Sequence, residues 1–378
     1  MQRRKFGSHN FKVSALGFGC MRLPVIDNQP DKIDEEKTAE MIHYAVDNGV
    51  DYVDTAFSYH REQNEVAVGR ILKGDYRSRV KLATKCPTWL IEKHDDFDRY
   101  LDVQLGKLQT DYIDMYLLHH LNKDRWPSLV EAGAFRFLDR AKQDGRIRYA
   151  GFSFHDDVDT FKSIVDSYGW DFCQIQYNYM DENFQAGTEG LKYAAGKNMA
   201  VVIMEPLRGG RLVQNLPDEV QNIMGRYEVR RTPADWALRW VLNHPEVTVV
   251  LSGMNALSQV KENIETARTA LPNSLTEEGL ALLDEVKASY RGRTKVDCTK
   301  CEYCMPCPQG ISIPKLFAAY NDAYMYNTLD KLANRHERII ESCGDPADCA
   351  ECGRCEEACP QNLPIREYLK QIKAIFAK

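Results

Sequence analysis

The chain has 378 residues, 44% of them hydrophobic and 28% charged, with a formal charge of -6. This length allows two or three domains, and the composition is ordinary for a globular protein. RRK near the N-terminus is too short for a nucleic-acid-binding block, no apolar run approaches the roughly 20 residues that span a bilayer, and MQRRKFGSHNFKVS lacks the apolar stretch of a secretory signal.

In chain order, RRKF and FKVS flank GSHN and predict a hairpin that caps the bottom of the first domain. Short β-rich runs then recur at 16–20, 52–56, 80–85, 113–119, 147–153, 171–177, 199–204 and 247–253. They are nearly continuous apolar runs, as in parallel strands buried on both faces. Helical patterns lie between them at 35–48, 62–72, 95–108, 135–144, 157–167, 189–198 and 233–242. Eight such units in under 300 residues predict a (β/α)8 TIM barrel, with an open doubly wound sheet as the alternative. LGFGCM holds Gly17 and Gly19 but lacks the third glycine of a dinucleotide fingerprint. The pair is read instead as close packing of a first barrel strand.

Four polar residues fall at or beside strand ends, where TIM barrels place their chemistry. Asp54 ends the second run, Lys85 the third and His119 the fourth, and Tyr59 follows Asp54 in DTAFSYH. Singly, each has an ordinary structural reading. Together at neighbouring strand ends, they predict a site. Trp89, His120 and Trp126 are expected on loops near its mouth.

After residues 291–295 the composition shifts to cysteine. Cys298, Cys301, Cys304 and Cys307 stand in CTKCEYCMPCP, and Cys349, Cys352, Cys355 and Cys359 in CAECGRCEEACP. Three thiolates at C-x2-C-x2-C can wrap a face of an iron–sulfur cube, and a fourth Cys followed by Pro commonly serves the other cluster of a pair. A zinc ribbon would use two CxxC pairs, and a disulfide scaffold an oxidising compartment. The doubled series with Cys-Pro exits predicts two 4Fe-4S clusters in the cytoplasm. The first run is one residue shorter than usual before its last cysteine, and Cys343 is expected to be buried and not a ligand. The interval 315–341 looks helical, which suits an all-helical ferredoxin-like domain. The expected boundaries are 1–292 for the barrel and 293–378 for the cluster domain.

DTAFSYHREQNEVAVGR resembles the signature segment of the aldo-keto reductases. LATK and DMYLLHH resemble that family's next strand ends, and PADWALRWVL and GMNALSQVKENI its last helical region and cofactor loop. With the tail, the whole chain is similar to the subgroup carrying a C-terminal 4Fe-4S domain. The resemblance implies an oxidoreductase interconverting a carbonyl and an alcohol with NADP or NAD. Tyr59 would be the proton donor, Lys85 would ease its ionisation, Asp54 would hold Lys85, and His119 would orient the carbonyl. It also implies a cofactor site of Ser153 and Gln174 at the carboxamide, Pro206, Leu207, Arg208 and Arg211 in the following loop, and Ser252, Gly253, Gln259, Glu262 and Asn263 at the adenine side. Phe154 and Met204 replace the Asn and Tyr common in the family, and Ser252 to Gln259 lacks its basic clasp, so NADH stays as open as NADPH. Arg208 and Arg211, in PLRGGR, could supply a replacement phosphate contact, with an ordinary solvated loop as the alternative. Two rival readings remain: an electron-transfer module serving a redox protein partner, and a reductase whose clusters only brace the tail. A hydride carries two electrons and a cube normally one, and no flavin motif bridges them.

Overall fold

The computed structural model describes residues 1–377. Arg3–Lys5 (β1) and Lys12–Ser14 (β2) form the expected antiparallel hairpin, with Arg3 opposite Ser14. Eight parallel strands follow: Leu16–Gly19 (β3), Tyr52–Asp54 (β4), Lys81–Cys86 (β5), Ile113–Leu121 (β6), Ile147–Phe154 (β7), Phe172–Gln176 (β8), Ala200–Met204 (β9) and Val247–Gly253 (β10). They close into a barrel in which β10 pairs with β3, Gly253 opposite Gly19. Closure settles the choice against an open sheet.

The strand sequences explain the closure. Apolar side chains face inward and outward because helices cover the outer surface. Phe6, from the hairpin, packs with Tyr52, Ala83, Met115, Phe172 and Val249 in the barrel interior and stacks on Phe11. Gly17 bears out the close-packing reading: a Cβ there would stand 2.7 Å from Leu251 Cδ2 and 2.9 Å from Val249 Cγ1.

Several helices begin where a side chain caps them. Asp34 accepts from the Lys37 amide at the start of Glu35–Asp47, Asp157 from the Thr160 amide before Val158–Ser167, and Thr232 from the Asp235 amide before Pro233–Leu242. Two expectations need correction. The helix expected over 62–72 spans Asn64–Ile71, because His60, Arg61 and Glu62 have φ of 51°, 50° and 70°. The helix expected over 315–341 is three, Ile313–Met325, Leu329–Ala333 and His336–Cys343, with the first break at Asn327, where φ is 50°. Helices Leu257–Thr269 and Glu277–Gly292 complete the set after β10.

The chain divides into two compact units. One is Met1–Gly209 with Arg231–Leu275; the other is Gly210–Arg230 with the chain from Thr276 onward. Composition changes near residue 293, but compactness groups helix Glu277–Gly292 with the tail. Tyr290 meets Tyr326 at 5.1 Å between ring centroids, and Arg293 donates to the Tyr324 carbonyl at 3.1 Å. The second unit has its own apolar core of Val296, Ile311, Leu316, Phe317, Tyr320, Leu369 and Ile372. Among the described residues, no helix is long and apolar enough to cross a membrane.

Candidate active site and cysteine cavities

β4, β5 and β6 are neighbours in the barrel, so their carboxyl-terminal ends bring Asp54, Lys85 and His119 to one side of the mouth. Asp54 is the last residue of β4 and Lys85 the last but one of β5, both almost wholly buried. His119 lies two residues before the end of β6. Lys85 Nζ donates to Asp54 Oδ1 at 2.7 Å, to the Thr55 carbonyl at 2.7 Å and to Tyr59 Oη at 3.3 Å. Since the ammonium donates to the phenolic oxygen, the phenol's own proton is directed elsewhere.

Tyr59 and His119 meet edge to face, 6.3 Å between centroids, and line a cavity of about 410 Å³ with Met21, Pro30, Ser58, His60, Trp89 and His120. Thus Trp89 and His120 reach the mouth, whereas Trp126 starts helix Trp126–Glu131 and packs on Phe135.

The electrostatics differ from expectation at one point. Burial pushes the Tyr59 phenol above its ordinary pKa; Lys85 opposes this, Asp54 adds to it, and the net direction is upward. Tyr59 is therefore held protonated, with Lys85 only moderating the rise. Burial acts to lower the Lys85 pKa, but Asp54 and Tyr59 outweigh it and the net direction is upward, so the ammonium persists. His119 is pushed well down, by burial first and then by Lys85, His120, His155 and Arg125, so its ring is neutral.

A second layer of the site has no counterpart among the residues expected from sequence. The left-handed run at residues 60–62 turns the chain directly after Tyr59. Asn64 anchors that turn: its Nδ2 donates to the Cys20 carbonyl and lies 2.8 Å from His60 Nδ1, while its Oδ1 accepts from Thr55 Oγ1 at 2.5 Å. Buried Glu65 accepts from Thr84 and Gln104, and Gln104 Nε2 donates to the Lys85 carbonyl at 3.0 Å. No local sequence signal marked them, because Asn64 and Glu65 continue the polar run HREQ at the start of helix Asn64–Ile71.

The expected cofactor residues lie mostly around the same mouth. Ser153 Oγ accepts from the His120 amide at 2.8 Å. Gln174 Nε2 points to Met204 Sδ, while its buried Oε1 has no partner. A carboxamide donor would satisfy that oxygen, which fits a nicotinamide. Buried Pro206 and half-buried Leu207 follow β9. Asn263 Nδ2 donates to Ser252 Oγ at 2.9 Å beside Gly253, Gln259 Oε1 accepts from the Asn255 amide, and Glu262 accepts from the Thr232 hydroxyl. The two expected phosphate ligands are already engaged. Arg208 Nε stands 3.4 Å from Asp181 Oδ2, and Arg211, in the second unit, pairs with Asp322.

In the second unit, Cys298, Cys301, Cys304 and Cys359 line one cavity. Cys307, Cys349, Cys352 and Cys355 line another of about 260 Å³. Cys304 borders both cavities, and the second has four cysteines without it. Each cavity thus takes three cysteines from one run and the Cys-Pro member of the other, a donor set that fits a cube. Cys343 is buried and lines neither; its carbonyl accepts from the Ser312 amide.

Residues 15–287 match the model of the aldo/keto reductase family. The chain belongs to that family. Residues 297–363 match a 4Fe-4S dicluster domain, so this aldo-keto reductase carries a C-terminal 4Fe-4S domain. It is 28% identical to a probable aldo-keto reductase 1 of Glycine max, over 70% of this chain and 84% of that one. It is 27% identical to the uncharacterized oxidoreductase YqkF of Bacillus subtilis, over 79% and 99%, and 25% identical to an L-galactose dehydrogenase of Arabidopsis thaliana, over 76% and 96%. Among solved structures, aldo-keto reductase AKR11C1 from Bacillus halodurans in its holo form matches with a TM-score of 0.64 and 27% identity, over 76% of this chain and 96% of that one.

Proposed function

We propose that this aldo-keto reductase interconverts a small carbonyl compound and its alcohol with NADPH or NADH, in the cytoplasm. The observation that carries the reading is buried Lys85, bonded at once to Asp54 and to Tyr59, whose ring lines the cavity. When bound, the reduced nicotinamide supplies a hydride to the carbonyl carbon. Negative charge then builds on the carbonyl oxygen, and Tyr59 donates its proton there. Lys85 stabilises the tyrosinate that results, and Asp54 keeps the ammonium in place. Neutral His119 donates an N–H to the same oxygen and orients it; such donors are commonly worth about 3 kcal/mol. Gln174 and Ser153 would hold the carboxamide, and Ser252, Glu262 and Asn263 the adenine side. The test is carbonyl-dependent oxidation of NADPH or NADH by anaerobically purified protein across small aldehydes, ketones and sugars. No turnover with any of them would contradict the proposal.

The eight cysteines support two 4Fe-4S clusters, one held by Cys298, Cys301, Cys304 and Cys359 and the other by Cys307, Cys349, Cys352 and Cys355. Such clusters supply one-electron transfer. Two neighbouring cavities favour a relay to a redox protein partner over a brace, which one metal site would provide. The discriminating variant is Cys352→Ser. Loss of electron delivery to a one-electron acceptor with carbonyl reduction preserved supports the relay; a wild-type protein that delivers none from any donor, with a variant that merely melts earlier, supports the brace.

A further inference from the structure

Arg22 places a cation at the barrel mouth. It follows β3, whose Gly19 pairs with Gly253 at the end of β10. Its stem lies over Gly253, where a Cβ would come within 2.9 Å of Arg22 Cγ. Its guanidinium reaches the turn after β9, 3.5 Å from where a Cβ on Gly209 would stand. The side chain thus lies between the two segments expected to hold the cofactor, 206–208 and 252–263. Gly253 leaves the room the stem occupies, whereas a Cβ on Gly209 would meet the guanidinium only in ordinary contact and would stand 3.6 Å from Glu205 Oε2. Arg22 is exposed, and among the described residues no carboxylate lies within ion-pair distance of it. Arg208 is paired with Asp181 and Arg211 with Asp322.

We propose that Arg22 binds the pyrophosphate of the dinucleotide. The inference rests on the nicotinamide-cofactor reading above and assigns to that site a residue not otherwise placed there. A guanidinium presents several donors in a planar fork that suits phosphate oxygens, and its charge offsets theirs. The position selects the pyrophosphate over a 2′-phosphate. Burial lowers the pKa of His60, the residue after Tyr59, and Arg22 is near enough to the catalytic side for its charge to add to that lowering. A 2′-phosphate would lie at the adenine end, near Gln259 to Asn263.

The experiment measures dissociation constants of NADH, NADPH and ADP-ribose by tryptophan fluorescence quenching, for the wild-type protein, Arg22→Gln and Arg22→Lys. Loss of one charged phosphate contact should weaken all three ligands in Arg22→Gln by about tenfold to a hundredfold. The NADPH-to-NADH ratio should stay unchanged, and Arg22→Lys should recover part of the loss. ADP-ribose separates a phosphate contact from an indirect effect on the nicotinamide pocket. Unchanged constants in Arg22→Gln, weakening of NADPH alone, or weakening that spares ADP-ribose would each overturn the assignment. A wild-type protein that binds none of the three would overturn the cofactor reading itself, and this inference with it.

Discussion

Lys85 donates to three oxygens at once, and this decides which way the neighbouring phenol can act. With the ammonium already donating to Tyr59 Oη, the phenolic proton is free for a bound carbonyl. Because the Tyr59 pKa lies above 10.0, its proton stays on throughout the neutral range. Carbonyl reduction should therefore show no loss assignable to Tyr59 below about pH 10, whereas alcohol oxidation, which needs the tyrosinate, should keep rising through that range. A descending limb for reduction near pH 7, abolished in Tyr59→Phe, would contradict this. His155 gives a second pH effect. Burial, with the charge of His120, lowers its pKa from 6.5 to about 4. The unfolded chain thus takes up a proton in that window before the folded one does. Its contribution to stability is fully present above pH 6.5 and is lost as pH falls towards 4, by at most about 3 kcal/mol. Urea unfolding across that range should show a shallower pH slope for His155→Gln than for the wild-type protein; equal slopes would remove the role.

At the scale of elements, the barrel was legible because parallel strands buried on both faces write themselves as apolar runs. The run at 247–253 coincides with β10, and the others start or stop within a few residues of theirs. What stayed hidden depends on backbone conformation or on distant partners. The left-handed residues 60–62 shorten a helix whose apolar and charged pattern runs on through Glu62 and Val66, and Asn327 breaks the tail helix without glycine or proline. Asp54, Lys85, Tyr59 and His119 were readable as strand-end chemistry. Asn64, Glu65 and Gln104 were not, because their roles arise from hydrogen bonds across elements. The ion pairs of Arg208 and Arg211 stayed hidden for a related reason: their partners Asp181 and Asp322 are remote in sequence. Helix contacts offer their own test. A Cβ on Gly69, in Asn64–Ile71, would stand 2.6 Å from the Lys107 carbonyl oxygen, and a backbone atom cannot swing aside. Gly69→Ala should destabilise the barrel by about 1–3 kcal/mol. All five tryptophans precede residue 241, so their fluorescence follows barrel unfolding. An unchanged urea midpoint would contradict that packing.

At the scale of the whole molecule, an aldo/keto reductase domain is joined to a 4Fe-4S dicluster domain, and the proposed reading gives hydride chemistry to the first and one-electron chemistry to the second. Two cubes require about eight irons and eight sulfides per chain after anaerobic reconstitution; about four would mean that only one cavity is filled. The exchange of Cys-Pro members between runs makes a sharper prediction. Cys307→Ser should alter the same EPR signal as Cys352→Ser, and Cys359→Ser the same signal as Cys301→Ser. The central claim remains that the buried Lys85 serves Tyr59 as proton donor to a carbonyl. Its most direct test is single-turnover carbonyl reduction by Tyr59→Phe, with NADH and NADPH binding measured in parallel. The expected result is a loss of about 10²–10⁴-fold in the reduction step, the usual contribution of a general acid, with cofactor affinity nearly unchanged. A variant that reduces the carbonyl at the wild-type rate would contradict it.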